Sequence, residues 1–165
     1  MIKGKILIQP IVAIIATLIV YLFSIDNELI HFWDNPGFGY IEGNQWIQHL
    51  NLDNLWMYFT QPFDNHYHPL TLLSLAIDYQ IGGTNPLGYH ITTICIHLLT
   101  VWFVYLFIKS LTGNATIAFF SAIIYGIHPL NVESVTWLSE RKNVLFGMFY
   151  FASLTAYIYY IRYKD

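Results

Sequence analysis

The sequence predicts an all-α membrane protein of about four transmembrane helices, with a long outer first loop that carries short interfacial helices. Three observations lead there. Hydrophobic residues make up 56% of the chain and charged residues only 10%, a balance too apolar for an ordinary soluble domain. Apolar runs of spanning or near-spanning length recur along it. The cations are sorted toward one end of those runs. A formal net charge of -3 without a basic cluster gives nothing to counter a phosphate backbone, so nucleic acid is not an expected partner. The lone Cys95 excludes an internal disulfide.

Residues 1–165 read as a single transmembrane domain. After Lys3 and Lys5, residues 6–25 carry no charge and form span 1, about 30 Å as a helix. The run exceeds a signal-peptide core and lacks a small-x-small cleavage pattern, which favours an uncleaved anchor; Pro10 kinks it or marks its effective start. Residues 26–87 form the outer loop, acidic at Asp26, Glu28, Asp34, Glu42, Asp53, Asp64 and Asp78 and without Lys or Arg. Within it, residues 50–59 and 70–81 have apolar residues at helical spacing, and many aromatic rings favour the membrane interface. Residues 89–108 form span 2, interrupted by His90 and His97 on one face; hydrogen-bonded packing is the favoured role for this pair, ahead of a ligand or proton path. A turn at Gly113 leads to residues 115–127, span 3, about 20 Å long, so either the helix starts within the turn or the following polar island dips into the bilayer. Residues 128–143 are an outer loop, and residues 144–161 form span 4, closed by Arg162 and Lys164.

Four spans gather Lys3, Lys5, Lys109, Arg162 and Lys164 on one side, leaving Arg141 and Lys142 on the other. By the positive-inside rule the termini are cytoplasmic and both loops face outward. The expected location is the plasma membrane of a prokaryote, as a multi-pass protein.

The island at residues 128–143 reads as one short helix, with Pro129 in its first turn and no later Gly or Pro. Glu133, Trp137 and Arg141 then fall at i, i+4 and i+8 on one face. That face either does chemistry or lies at the membrane surface with Trp137 at the headgroups.

Several motifs, in this order, carry a resemblance. Phe32-Trp33-Asp34-Asn35-Pro36, His68-Pro69-Leu70-Thr71, Asn85-Pro86-Leu87-Gly88-Tyr89-His90, and His128-Pro129-Leu130-Asn131-Val132-Glu133-Ser134-Val135 with Glu140-Arg141-Lys142 together resemble the amino-terminal half of the membrane region of the tetratricopeptide-repeat O-mannosyltransferase-like proteins, of the GT-C glycosyltransferase superfamily. The resemblance implies transfer of a sugar, mannose, from a polyprenyl-phosphate donor to a protein hydroxyl on the outer membrane face. It implies Asp34 and Glu133 as catalytic residues, and His128, Arg141, Lys142, Asn35 and His68 as substrate-binding residues. Asp34 would take the acceptor proton, Glu133 orient the acceptor or share that role, and Arg141 grip the phosphate. Relatives often carry a second acid where Asn35 stands, and they continue through further spans. The chain is therefore expected to be a fragment, a split gene product or a reduced relative. Its expected partners are membrane lipid, the polyprenyl-phosphate sugar and a second membrane chain that supplies further spans.

His66 and His68 near Asp64 invite a divalent metal, but the spacing is permissive and no metal or other cofactor is assigned. The competing class is a non-catalytic four-span scaffold or interaction module.

Overall fold

A computed structural model describes residues 8–29 and 39–164, with the side chain of Tyr163 excepted. Asp34 and Asn35 lie outside the described residues. The described chain contains eight α-helices: α1 Ile8–Tyr21, α2 Gln45–Gln48, α3 Leu52–Thr60, α4 Pro69–Gly82, α5 Pro86–Thr112, α6 Ala115–Ile127, α7 Val132–Thr136 and α8 Arg141–Lys164. No strand occurs among the described residues.

Local chemistry explains where most helices begin. Asn44, Asn51, Asn85 and Asn114 each accept a backbone N–H in the first turn of α2, α3, α5 and α6, satisfying donors that a helix start leaves unpaired. Pro69 and Pro86 sit in the first turns of α4 and α5, where a missing N–H costs nothing. Gly113 ends α5 at φ 70, the left-handed position that favours glycine, and donates to the Lys109 carbonyl. Helices α3 and α4 fall within two residues of the helical stretches read at 50–59 and 70–81.

Helix α5 is the hub, packed against α1, α4, α6, α7 and α8. Its buried positions recur every three or four residues, from Tyr89, His90 and Thr93 through His97 and Val101 to Tyr105. One core lies in the bundle, where Val101, Val104 and Tyr105 meet Ala13, Ala118 and Ala122. A second lies in the loop region, where Ile41, Ile47, Tyr58, Leu72 and Leu75 surround Tyr89 and Leu138. Tyr21, Ile94, Val135 and Val144 form a third. At the α1–α6 contact a Cβ on Gly126 would meet the Thr17 hydroxyl oxygen at 2.1 Å, so only glycine permits this approach.

Two helical stretches, Pro86–Thr112 and Leu138–Arg162, are long and apolar enough to cross a bilayer. A third crossing exists if α6 and Pro129–Thr136, bent by 48°, act as one span; Ile8–Ser24 is a shorter apolar helix. These helices fit a membrane protein. Arg162 donates to the Ser110 carbonyl, so α5 and α8 end together and gather Lys109, Arg162 and Lys164 at one end of the bundle.

The island departs from the single helix expected over residues 129–143. It consists of a 3-10 turn at Pro129–Asn131, then α7, an extended Trp137 (φ -92, ψ 112), and a second 3-10 turn at Leu138–Glu140. Burial drives the break. Val135 and Leu138 must enter two different cores, and a continuous helix presents one stripe rather than two diverging ones. The shared i, i+4, i+8 face therefore does not form: Glu133 is exposed, whereas Arg141 is fully buried.

Candidate functional site

Arg141 opens α8 and turns inward. Its Nη1 lies 2.5 Å from Asp78 Oδ2 on α4, its Nε donates to Thr93 Oγ1 at 3.0 Å, and its Nη2 donates to the Tyr89 carbonyl at 2.8 Å. Thr92 donates to the other carboxylate oxygen of Asp78 at 2.7 Å. Arg141 is 0% exposed and Asp78 5%, so each charge depends on the other and on these donors and acceptors. The guanidinium fork suits this role, because it reaches α4 and α5 at once while remaining part of α8. Arg141, expected to grip a phosphate, is fully buried and bonded to Asp78, Thr93 and Tyr89, a clasp that ties α8 to α4 and α5.

Beside the clasp, Lys142 points the other way. Its ammonium is 2.7 Å from Glu140 Oε1 and 5.9 Å from the Tyr40 ring centroid. Asn143 donates to Glu140 Oε2 at 2.6 Å. Burial, helped by the carboxylates of Asp64 and then Glu140, pushes the Tyr40 hydroxyl pKa up to about 12.

A tight turn brings the histidines to this corner. Asp64 and Asn65 both take positive φ, 47° and 60°, which short polar side chains tolerate. Phe63 and His66 exchange backbone hydrogen bonds of 2.9 Å across the turn. The His68 ring then lies tilted against its neighbours, its centroid 5.2 Å from that of Tyr40 and 6.2 Å from that of His66. Burial, helped by Lys142 and His66 and opposed by Asp64, lowers the His68 pKa to about 4, so its ring is neutral at neutral pH. Its Nε2 is buried with no hydrogen-bond partner among the described residues.

A groove of about 580 Å³ runs from this corner between the start of α4 and the first turns of α8. His66, His68 and Lys142 line its polar end, and Leu70, Leu145, Phe146 and Phe149 its apolar floor.

The structure thus brings together Lys142 and His68 among the expected site residues. His128 lies apart from them: exposed, it caps the 3-10 turn by accepting from Leu130 N–H at 3.2 Å. Neither it nor Glu133 makes a hydrogen bond or ion pair to Lys142 or His68 among the described residues. Asp78 and Glu140 are not among the expected site residues. Asp78 had a signal: it is the one acid in an apolar helix, with Thr71 and Ser74 on the same face. His97 and His90 hydrogen-bond the carbonyls of Gly126 at 2.9 Å and Asn27 at 3.1 Å. No cluster of three His, Cys, Asp or Glu suited to a metal occurs among the described residues.

No family model matches the chain, and no solved structure does. Curated proteins do. Protein O-mannosyl-transferase TMTC2 of Mus musculus is 29% identical over 112 residues, covering 67% of this chain and 13% of that protein. Protein O-mannosyl-transferase Tmtc1 of Drosophila melanogaster is 30% identical over 96 residues, covering 58% and 11%. Protein O-mannosyl-transferase F38B6.6 of Caenorhabditis elegans is 28% identical over 95 residues, covering 56% and 14%. The matched stretch is thus a small part of each relative's length, and over more than half of its own length this chain is similar to the protein O-mannosyl-transferases, as its motifs indicate.

Proposed function

We propose that this chain is a GT-C-like glycosyltransferase module that takes part in transferring mannose from a polyprenyl phosphate to a protein hydroxyl at the outer membrane face. The observation that carries the reading is the similarity to named O-mannosyl-transferases across 67% of the chain. In such a transfer a carboxylate takes the proton of the acceptor hydroxyl as its oxygen attacks the anomeric carbon. The sugar–phosphate bond breaks, and the phosphate leaves with the electron pair. Asp34 is assigned as the base, with Asn35 beside it, and Glu133 and His128 to the acceptor side. Lys142 and His68 take the phosphate, since Arg141 is committed to Asp78. The cations at the shared end of α5 and α8 support a topology with four spans and cytoplasmic termini, which places the clasp and groove outside. A second membrane chain, or chain beyond the matched stretch, supplies the remaining walls of the donor site.

The test is expression in a host that makes mannosyl polyprenyl phosphate, with and without a candidate second membrane chain, followed by mass spectrometry of exported proteins. Hexose additions on Ser or Thr that depend on the chain and vanish with Asp34→Asn are expected. Identical modification patterns with and without the chain would remove the enzymatic reading.

A further inference from the structure

Helix α6 is too short for the bundle it belongs to. Asn114 caps its start beside the Gly113 turn, and it ends at Ile127 after 13 residues, about 20 Å against a hydrocarbon core of about 30 Å. Contacts fix where that end lies. The Gly126 carbonyl meets His97 of α5, which stands about 18 Å along α5 from Lys109. On the α1 flank the apolar surface runs on to the level of His90, whose ring meets the Asn27 carbonyl about 29 Å along α5 from Lys109. One flank of the bundle thus matches a bilayer, and the α6 flank falls about 10 Å short of it.

Side chains finish the end of α6 at that depth. The Gly126 carbonyl accepts from His97 at 2.9 Å and the Tyr125 carbonyl from the Asn131 amide at 2.6 Å, so acceptors that a helix end leaves open are filled. Beyond it the chain climbs as a ramp: Val135 packs with Ile94, and Leu138 with Tyr89. His128, Leu130, Val132 and Glu133 lie on this ramp and all are exposed. A carboxylate bare in hydrocarbon is costly, and Leu130, 82% exposed, gains nothing from open water. Polar and apolar side chains exposed in alternation suit the boundary where headgroups meet acyl chains.

We infer that the headgroup layer on the clasp side of the membrane dips by about 10 Å beside α6 and rests on this ramp, with phospholipid headgroups on His128 and Glu133 and acyl chains against Leu130 and Val132. The partner is the bilayer's own phospholipid. Below the ramp, Ile117, Phe120 and Ile124 are exposed at i, i+3 and i+7 of α6 and give the short apolar wall that the thinned bilayer meets. A packed membrane helix in that place would have to supply partners for both His128 and Glu133 within hydrocarbon. Through the dip, a polar group approaching from the clasp side reaches the level of His97 without crossing a full leaflet.

Depth-dependent fluorescence quenching of the full chain in phosphatidylcholine liposomes tests this. Bimane is attached either to the native Cys95, exposed in the groove between α1 and α5 at the height of the ramp, or to Leu130→Cys in a Cys95→Ser background. The quenchers are phosphatidylcholine with a nitroxide on its headgroup and phosphatidylcholine with a nitroxide deep in its acyl chain. The Cys95 probe should be quenched best by the deep nitroxide and the Leu130→Cys probe by the headgroup nitroxide. Adding His128→Leu and Glu133→Leu should shift the Leu130→Cys probe toward the deep nitroxide, with thermal unfolding as the check on folding. The same quencher preference at both probes overturns the dip. A Leu130→Cys probe that neither lipid quenches overturns it in favour of a protein surface covering the ramp. Unshifted headgroup preference in the folded double-leucine variant overturns His128 and Glu133 as the seat of the headgroups. Where that variant does not fold, the comparison of Cys95 with Leu130→Cys decides alone.

Discussion

Removing the Asp78 carboxylate leaves the Arg141 guanidinium in place with its principal counter-charge gone. Arg141 is 0% exposed and cannot reach water without α8 moving away from α4 and α5. Breaking a buried pair in this way costs about 3–5 kcal/mol. Asp78→Ala should fall in that range, since Thr92 also loses its acceptor. Arg141→Met strands Asp78 with Thr92 as a hydrogen-bonding partner and should cost a similar amount. The double variant Asp78→Leu with Arg141→Met should unfold within about 2 kcal/mol of the parent, because desolvation of both charges is removed together. The assay is reversible unfolding in mixed micelles followed by tryptophan fluorescence. If Asp78→Ala unfolds within about 0.5 kcal/mol of the parent, or the double variant is as unstable as the two single losses added, the clasp does not hold the three helices together.

Three further outcomes follow from particular contacts. Because the folded-state pKa of His68 is lowered to about 4, the unfolded chain takes up this proton first; stability is fully present above pH 6.5 and falls as the pH drops from 6.5 toward 4. His68→Gln should flatten that acid limb, and an imidazole titrating near 6.5 by NMR would contradict the burial. Gly126→Ala should destabilise by about 1–3 kcal/mol through its clash with Thr17, with partial rescue by Thr17→Ala in thermal scans; a neutral Gly126→Ala would show that α1 and α6 do not approach so closely. In a Cys95→Ser background, Asn65→Cys and Glu133→Cys should react with a membrane-impermeant maleimide on intact cells, and labelling only after lysis would reverse the topology.

Helix boundaries were readable where they are set by local chemistry. Apolar spacing, uncharged runs and the Gly113 turn act within the same few residues, so α3 to α6 stand close to where the pattern puts them. The histidines of α5 were readable for a related reason. A buried His on an apolar face needs an acceptor, and Gly126, in the last turn of α6 where carbonyls have no intrahelical donor, supplies one to His97. The island was not readable. Its helical spacing is present, but Val135 is drawn to Tyr21 and Ile94 and Leu138 to Tyr89 and Leu75, all distant in sequence, and that pull outweighs local propensity. The burial of Arg141 was not readable for the same reason. Its character as a phosphate ligand or a clasp depends on whether Asp78 lies opposite, and adjacency of α4 to α8 is a tertiary fact. Neighbouring side chains then divide the labour by direction, Arg141 into the protein and Lys142 into the groove.

The most direct test of the central claim is transfer of radiolabelled mannose from polyprenyl phosphate to a Ser/Thr peptide by reconstituted membranes containing this chain and its complementing membrane segment. The proposed chemistry predicts incorporation that Asp34→Asn abolishes and Lys142→Gln lowers by about tenfold or more, while Asp34→Asn leaves thermal unfolding unchanged. Undiminished transfer with the folded Asp34→Asn variant would contradict the proposed chemistry.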